Sequence, residues 1–291
     1  MNSPDSRNPE VRNFEGWRRI WEHTQRLVTP ADWPARLAAT LVTPEGVRVI
    51  RHEIQLPASL GERQELRIAF ASDFHAGPTT SDRVLQSAID ALMDAKPDLL
   101  LLGGDFVCLR PEFAERVAGR LGEIPAPLGR YAVLGNHDLW AGGPRIVTAL
   151  ESAGIEMVTN RQVRLPKPFD RVSVCGLDDH TSGHPDADSA FAEAAPVRIL
   201  LMHAPSGVLD AGPHRFDLAF CGHTHGGQIA WPDGRPFVVT HGALSERYNA
   251  GRYPLDEGAT LLVSRGVGCT TLPIRWNCPA DVIICTVRGK A

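Results

Sequence analysis

From Val47 to the C-terminus the hydrophobic positions switch repeatedly between two periods. Val47 to Ile54 alternates as a strand does. Leu66 to Ser72 reads as a strand. Ser81 to Ala95 takes the helical period, with Val84, Leu85, Ile89, Leu92 and Met93 on one face. Asp98 to Leu102 is a short apolar strand, Pro111 to Leu121 a helix opened by proline, Tyr131 to Leu134 a strand and Arg145 to Ala153 a helix. The second half is richer in strands: Arg171 to Cys175, Val197 to Met202, Leu218 to Cys221, Thr260 to Ser264 and Val282 to Val287. Strands taking turns with helices predict a layered α/β domain, and neither a repeat nor a linker interrupts the rhythm over residues 46–291.

Residues 1–45 have a different character and read as a helical N-terminal extension. Trp17, Ile20, Trp21 and Leu27 fall near helical spacing with Arg18, Arg19 and Arg26 between them, and a second short apolar-faced helix runs from Trp33 to Leu41. One reading packs this extension on the main body. The other lays it on a membrane surface through residues 11–42, with Trp at the boundary and Arg toward lipid headgroups. The first ten residues are polar and lack the basic and apolar regions of a secretory signal, and no apolar stretch is long enough to span a bilayer. The expectation is a cytoplasmic protein, and the membrane-surface alternative would add peripheral contact at the inner membrane.

Composition narrows the partners. The net charge is -4, the lysines are only Lys96, Lys167 and Lys290, and no block of like charge occurs, so no nucleic-acid-binding face is indicated. The cysteines are Cys108, Cys175, Cys221, Cys269, Cys278 and Cys285, with no CxxC pair. Most sit in or beside apolar runs, where cysteine acts as a small hydrophobe, and reduced thiols are expected. A Cys269–Cys278 disulfide is the less favoured alternative.

The chemistry sits where strands end. After Leu66–Ser72 come Asp73 and His75; after Leu99–Leu102 come Gly103, Gly104 and Asp105. After Tyr131–Leu134 come Gly135, Asn136, His137 and Asp138; after Ile199–Met202 comes His203; after Leu218–Cys221 come Gly222, His223, Thr224 and His225. Strand ends are rigid, and ligands in α/β sheets gather beyond the carboxyl ends of strands. Residues i and i+2 of an extended chain point to one side, so Asp73 with His75, and His223 with His225, are expected to converge. Glycines before Asp105, Asn136 and His223 allow sharp turns and close approach to a phosphate. Carboxylate, amide and imidazole together suit divalent Mn, Fe or Zn. Each motif alone is weak; all five, in order and each after an apolar run, are hard to obtain by accident.

The string D-F-H, G-G-D, G-N-H-D, H-A and G-H-T-H-G-G-Q, from Leu66 to Val287, resembles the calcineurin-like metallophosphoesterase superfamily. The ending, with Arg247-Tyr248, Gly251 and Ser264 to Pro279, is similar to the bacterial branch of YaeI- and YkuE-type phosphodiesterases, some of which hydrolyse UDP-2,3-diacylglucosamine. The resemblance implies two packed mixed β-sheets flanked by helices. It implies two divalent ions, manganese first, with iron or zinc as alternatives. Asp73, His75 and His225 would bind one ion; Asn136, His203 and His223 the other; Asp105 would bridge both. His137, held by Asp138, would protonate the leaving oxygen. A water bridging ions about 3.5–4 Å apart, its pKa lowered from about 15.7 to about 7, would attack phosphorus. One departure stands out. Many members carry an acidic residue three positions after the bridging Asp, and here that position is Cys108.

The function expected is hydrolysis of a phosphodiester or pyrophosphate in a small or lipid-linked metabolite. A phosphomonoesterase, such as a protein Ser/Thr phosphatase, is the alternative enzyme, and a metal-binding scaffold the non-enzymatic one. Other positions stay open between two readings: Arg265 as a phosphate contact or a tie for the C-terminal loop, Trp140 as pocket wall or core, His180 and His184 as solvated loop residues or substrate contacts, and His241 as a turn or site residue.

Overall fold

In a computed structural model, which describes residues 33–41, 46–239 and 242–290, the apolar runs build two six-stranded sheets. The first sheet is ordered β1 (Arg48–Gln55), β12 (Asp281–Arg288), β2 (Glu65–Ala71), β3 (Leu99–Leu102), β4 (Arg130–Ala132), β5 (Glu156–Met157). The second is ordered β10 (Gly251–Pro254), β11 (Thr260–Val263), β9 (Leu218–Cys221), β8 (Val197–Leu201), β7 (Val172–Gly176), β6 (Arg161–Arg164). Strands β2 to β5 run parallel in one sheet, and β7, β8, β9 and β11 run parallel in the other. Both sheets are mixed, because β12 is antiparallel to β2 and β6 to β7.

Strands covered on both faces need apolar side chains at every position, which is why β3 is four consecutive leucines. Leu99 and Leu101 enter the core between the sheets with Ile68, Phe70, Ile199, Leu201, Leu218 and Phe220. Leu100 and Leu102 face the opposite way, toward helices α2 (Asp82–Asp94) and α3 (Ala114–Gly122). A third apolar cluster covers the outer face of the second sheet through Cys175, Leu200, Ala219, Cys221 and Leu261. This two-face burial makes the sandwich rigid where the parallel strands end.

The expected elements appear with boundary shifts. Ser81 lies outside α2 as its cap, accepting from the Val84 amide. Pro111 opens a single tighter turn before α3. Helix α4 (Asn136–Ser152) starts nine residues before the expected Arg145 and breaks at Gly142, where φ is 112°. Gly142, Gly143 and Pro144 hid that first turn, since sequence alone reads them as a breaker. Of the N-terminal extension, α1 (Trp33–Leu41) is observed; the membrane-surface reading of Trp17, Ile20 and Trp21 falls outside the described residues, as does His241.

Candidate metal centre

Strand ends from both sheets deliver seven donor residues to one place. Asp73 and His75 follow β2, Asp105 follows β3, Asn136 follows the β4 run, His203 follows β8, and His223 and His225 follow β9. All seven are buried. Donor atoms of Asp73, His75 and His225 lie within 4.8 Å of one another, and so do those of Asp105, His203 and His223. Asn136 joins the second group, its Oδ1 3.1 Å from His203 Nε2. Asp105 stands between the groups, with Oδ2 3.5 Å from His75 Nε2 and 3.4 Å from His203 Nε2.

The backbone, not strand alternation, aims these groups. Asp73, His75, Asp105, His223 and His225 have φ of 54°, 42°, 54°, 69° and 52°, in the left-handed region. The i, i+2 convergence expected from an extended chain is therefore achieved by sharp turns at the strand ends. Asp is among the residues that accept this region best, but each such residue still costs about 1–3 kcal/mol, and such strain gathers at functional sites. Close approach also explains Gly135: a Cβ there would press into the Asp105 carboxylate and lie 2.7 Å from His203 Cε1. Gly104, at φ 88°, turns the chain just before Asp105.

Burial and the Asp105 carboxylate pull the donors' proton affinities in opposite directions. Burial, then the neighbouring Asp105, pushes the Asp73 carboxyl up to about 6. Burial drives His75 and His225 well below the usual histidine range. At His203 burial opposes charging, but the Asp105 carboxylate outweighs it and the pKa is raised well above the usual value. The His75 and His225 Nε2 atoms face each other at 3.1 Å, and His225 Nε2 lies 3.4 Å from Asp73 Oδ1. Crowded lone pairs and buried carboxylates of this kind fit divalent cations with mixed N and O ligation. Residues that hold the donors are also present. The Gly103 carbonyl lies 2.7 Å from His203 Nδ1, and the His223 amide donates to both Asp73 oxygens.

His137 stands at the rim, half-buried, its ring 4.7 Å from that of His75 and 4.8 Å from that of Trp140. Its Nδ1 lies 2.7 Å from the Cys108 carbonyl, and its Nε2 3.4 Å from Thr270 Oγ1. The expected contact with Asp138 is replaced. Asp138 turns inward to accept from the Val107 and Gly135 amides, and burial, with Asp105 beside it, raises its pKa to about 7. Cys108, where the sequence departs from the pattern it resembles, thus still orients His137, but through its backbone oxygen. Burial lowers the His137 pKa, yet Asp105 and the Cys108 contacts outweigh it and push the ring up to about 9.

Arg265 is a loop tie: its Nη1 lies 3.0 Å from Asp281 Oδ2, and its amide donates to Asp281 Oδ1. His180 pairs with Asp210 at 2.8 Å, and His184 is exposed. All six cysteines are free.

Sequence reasoning passed over Arg275. It is buried, and its guanidinium gathers the carbonyls of Arg265, Gly266, Gly268, His225 and Cys278 and lies 3.3 Å from His225 Nδ1. The signal was its position in the Ser264 to Pro279 ending, where an arginine amid small and apolar residues needs buried acceptors. Arg275→Met is expected to strand several carbonyls, at about 1–3 kcal/mol for each buried group. A net loss of about 3 kcal/mol corresponds to a Tm fall of roughly 6–12 °C by calorimetry. Metal affinity should drop about 10–100-fold as the His225 turn loses the tie that Arg275 makes to its carbonyl.

The family model described as calcineurin-like phosphoesterase matches residues 66–227. The chain belongs to the calcineurin-like phosphoesterases. This family depends on a dinuclear metal centre, and the chain is a phosphoric ester hydrolase. Among curated relatives, a metallophosphoesterase from Aquifex aeolicus is 30% identical, covering 84% of this chain and 93% of its own. Phosphodiesterase YaeI from Escherichia coli is 30% identical over 84% of this chain and 94% of its own. UDP-2,3-diacylglucosamine pyrophosphatase LpxG from Chlamydia trachomatis is 27% identical over 79% and 86%. Among solved structures, Haemophilus influenzae NAD nucleotidase matches at a TM-score of 0.45 and 14% identity, covering 70% of this chain; this chain spans 45% of that one.

Proposed function

We propose that this phosphoesterase cleaves a phosphodiester or pyrophosphate bond in a small or lipid-linked metabolite. The observation that carries the reading is the pair of buried donor triads joined by one carboxylate, Asp105. In this reading Asp73, His75 and His225 hold one cation, Asn136, His203 and His223 hold the other, and Asp105 is shared. Two divalent ions, manganese first, would supply Lewis acidity for water and charge neutralisation at the phosphoryl group.

The chain's own residues do the rest. His137, fixed through Nδ1 by the Cys108 carbonyl, presents Nε2 to the opening and donates a proton to the leaving oxygen. Cations on Asp105 would withdraw part of the support for its raised pKa and bring the ring toward neutral pH, where an acid works best. Asp138 positions the turn rather than the ring, by bonding the Gly135 and Val107 amides. Trp140 lies against His137 and forms an apolar wall.

The lipid-linked version draws on the rim. Gln228, three residues after His225, donates to the Thr270 and Leu272 carbonyls and so ties the metal-site turn to the C-terminal loop. Around this junction Trp231, Phe237, Leu272 and Trp276 are each more than half exposed, and Trp231 stacks on Phe237 at 4.3 Å. Exposed large apolar side chains gathered beside a polar site suit an amphiphilic substrate. The names of YaeI and LpxG support the same bond class. Among the described residues no helix is long and apolar enough to cross a membrane. Six free, buried cysteines suit a reducing compartment, so a cytoplasmic location at the inner membrane belongs to this proposal.

Metal-stripped protein restored with Mn²⁺ should hydrolyse bis-p-nitrophenyl phosphate faster than p-nitrophenyl phosphate. Preference for the monoester would move the reading to phosphatases.

A further inference from the structure

The two triads are built from nitrogen and oxygen. A third group beside them is not: one donor atom each from Cys108, His137 and His75 lies within 4.8 Å of the others. We propose that these three residues form an inhibitory subsite for a thiophilic divalent ion, Zn²⁺ or Cd²⁺, beside the dinuclear centre and sharing His75 with it; its inhibitory effect rests on the proposed acid role of His137.

Three observations meet there. His75 faces Asp105 and His225 with Nε2, while its Nδ1 is buried without a hydrogen-bond partner, in a residue with 0% exposure. A buried ring nitrogen in that state costs about 1–3 kcal/mol, which a ligand would relieve. His137 Nε2 has the long 3.4 Å contact with Thr270 Oγ1 to give up. The Cys108 side chain enters neither donor triad of the main centre. Zinc takes sulfur at about 2.3 Å and imidazole at about 2.0–2.1 Å, so donors this close need only small movements to share one ion. Sulfur also sets the selectivity, because thiolate favours Zn and Cd over Mn or Mg. As the ion binds, the Cys108 thiol and the His75 Nδ1–H each release one proton to solvent, so that His75 serves the main centre through Nε2 and the subsite through Nδ1. An ion held there occupies His137, and the proton for the leaving oxygen is lost.

The test adds Cd²⁺ to the full-length, Mn-loaded protein and records the ultraviolet sulfur-to-cadmium charge-transfer band together with ester hydrolysis. Wild type should show a saturable band and lose about 10²-fold or more of its rate, the share of a general acid. Cys108→Ser should lose the band and keep its own cadmium-free rate, and Cys108→Ala should do the same if the serine variant folds poorly. A band that persists in both variants, or equal inhibition of wild type and variants, would place cadmium on other thiols or in the main centre and overturn the subsite. The band reads the subsite without turnover. A Cys108-dependent band in a protein that cleaves no ester would therefore leave the subsite standing and count against the phosphoesterase reading alone.

Discussion

Asp105→Asn should lower kcat/KM on bis-p-nitrophenyl phosphate by about 10³-fold, since metal stabilisation of phosphoryl charge amounts to several kcal/mol and each 1.36 kcal/mol is tenfold. The reason is geometric. Oδ2 reaches toward His75 and His203, one residue from each triad, while Oδ1 accepts from the His137 amide at 2.9 Å. An asparagine keeps the shape but offers one neutral oxygen, so it can serve one cation and not two. The fold should survive, because the loss removes a buried negative charge and leaves the core between the sheets untouched. Circular dichroism should be unchanged while bound manganese falls below two per chain. A rate within tenfold of wild type would remove Asp105 from its bridging role.

His137→Gln should act differently. Its ring belongs to neither main triad, so both cations should stay while kcat falls by about 10²–10⁴-fold, the span of general acid catalysis. The loss should depend on the leaving group. A p-nitrophenolate leaves with little help, whereas an alkyl diester needs the proton, so the deficit should be largest for the alkyl ester. An equal deficit for both, or loss of metal, would make His137 a structural or ligating residue instead.

Much of this centre was legible because its residues sit at strand ends, and strand ends are marked by where apolar runs stop. Asp73, Asp105, His203 and His223 each follow a run whose burial on both faces makes it continuous and easy to find. The family resemblance then implied the grouping. What could not be read is how the chain turns. The positive φ at five donor residues is set by tertiary crowding, such as Gly135 against Asp105 and His203, and leaves no mark in periodicity. Hydrogen-bond direction was equally hidden. Asp138 follows His137 directly, which suggested a pair, yet the start of α4 carries its carboxylate back onto the Gly135 and Val107 amides.

The short strands β5, β6 and β10 escaped for another reason. Each is two to four residues long at a sheet edge, and exposed positions of β6 and β10 carry Arg161, Arg164 and Arg252, which blur alternation. Arg275 was hidden by the opposite effect. A buried cation satisfied by carbonyls leaves no periodic signal, only its place amid small and apolar residues.

If one buried site holds two cations shared through Asp105, metal content and activity must rise together. The most direct test counts metal: strip the wild-type chain with a chelator, titrate Mn²⁺ back, and measure bound manganese by mass spectrometry alongside diester hydrolysis. Two ions per chain, with activity appearing as the second binds, is the predicted result. Full hydrolysis in a chain holding one ion or none would contradict it.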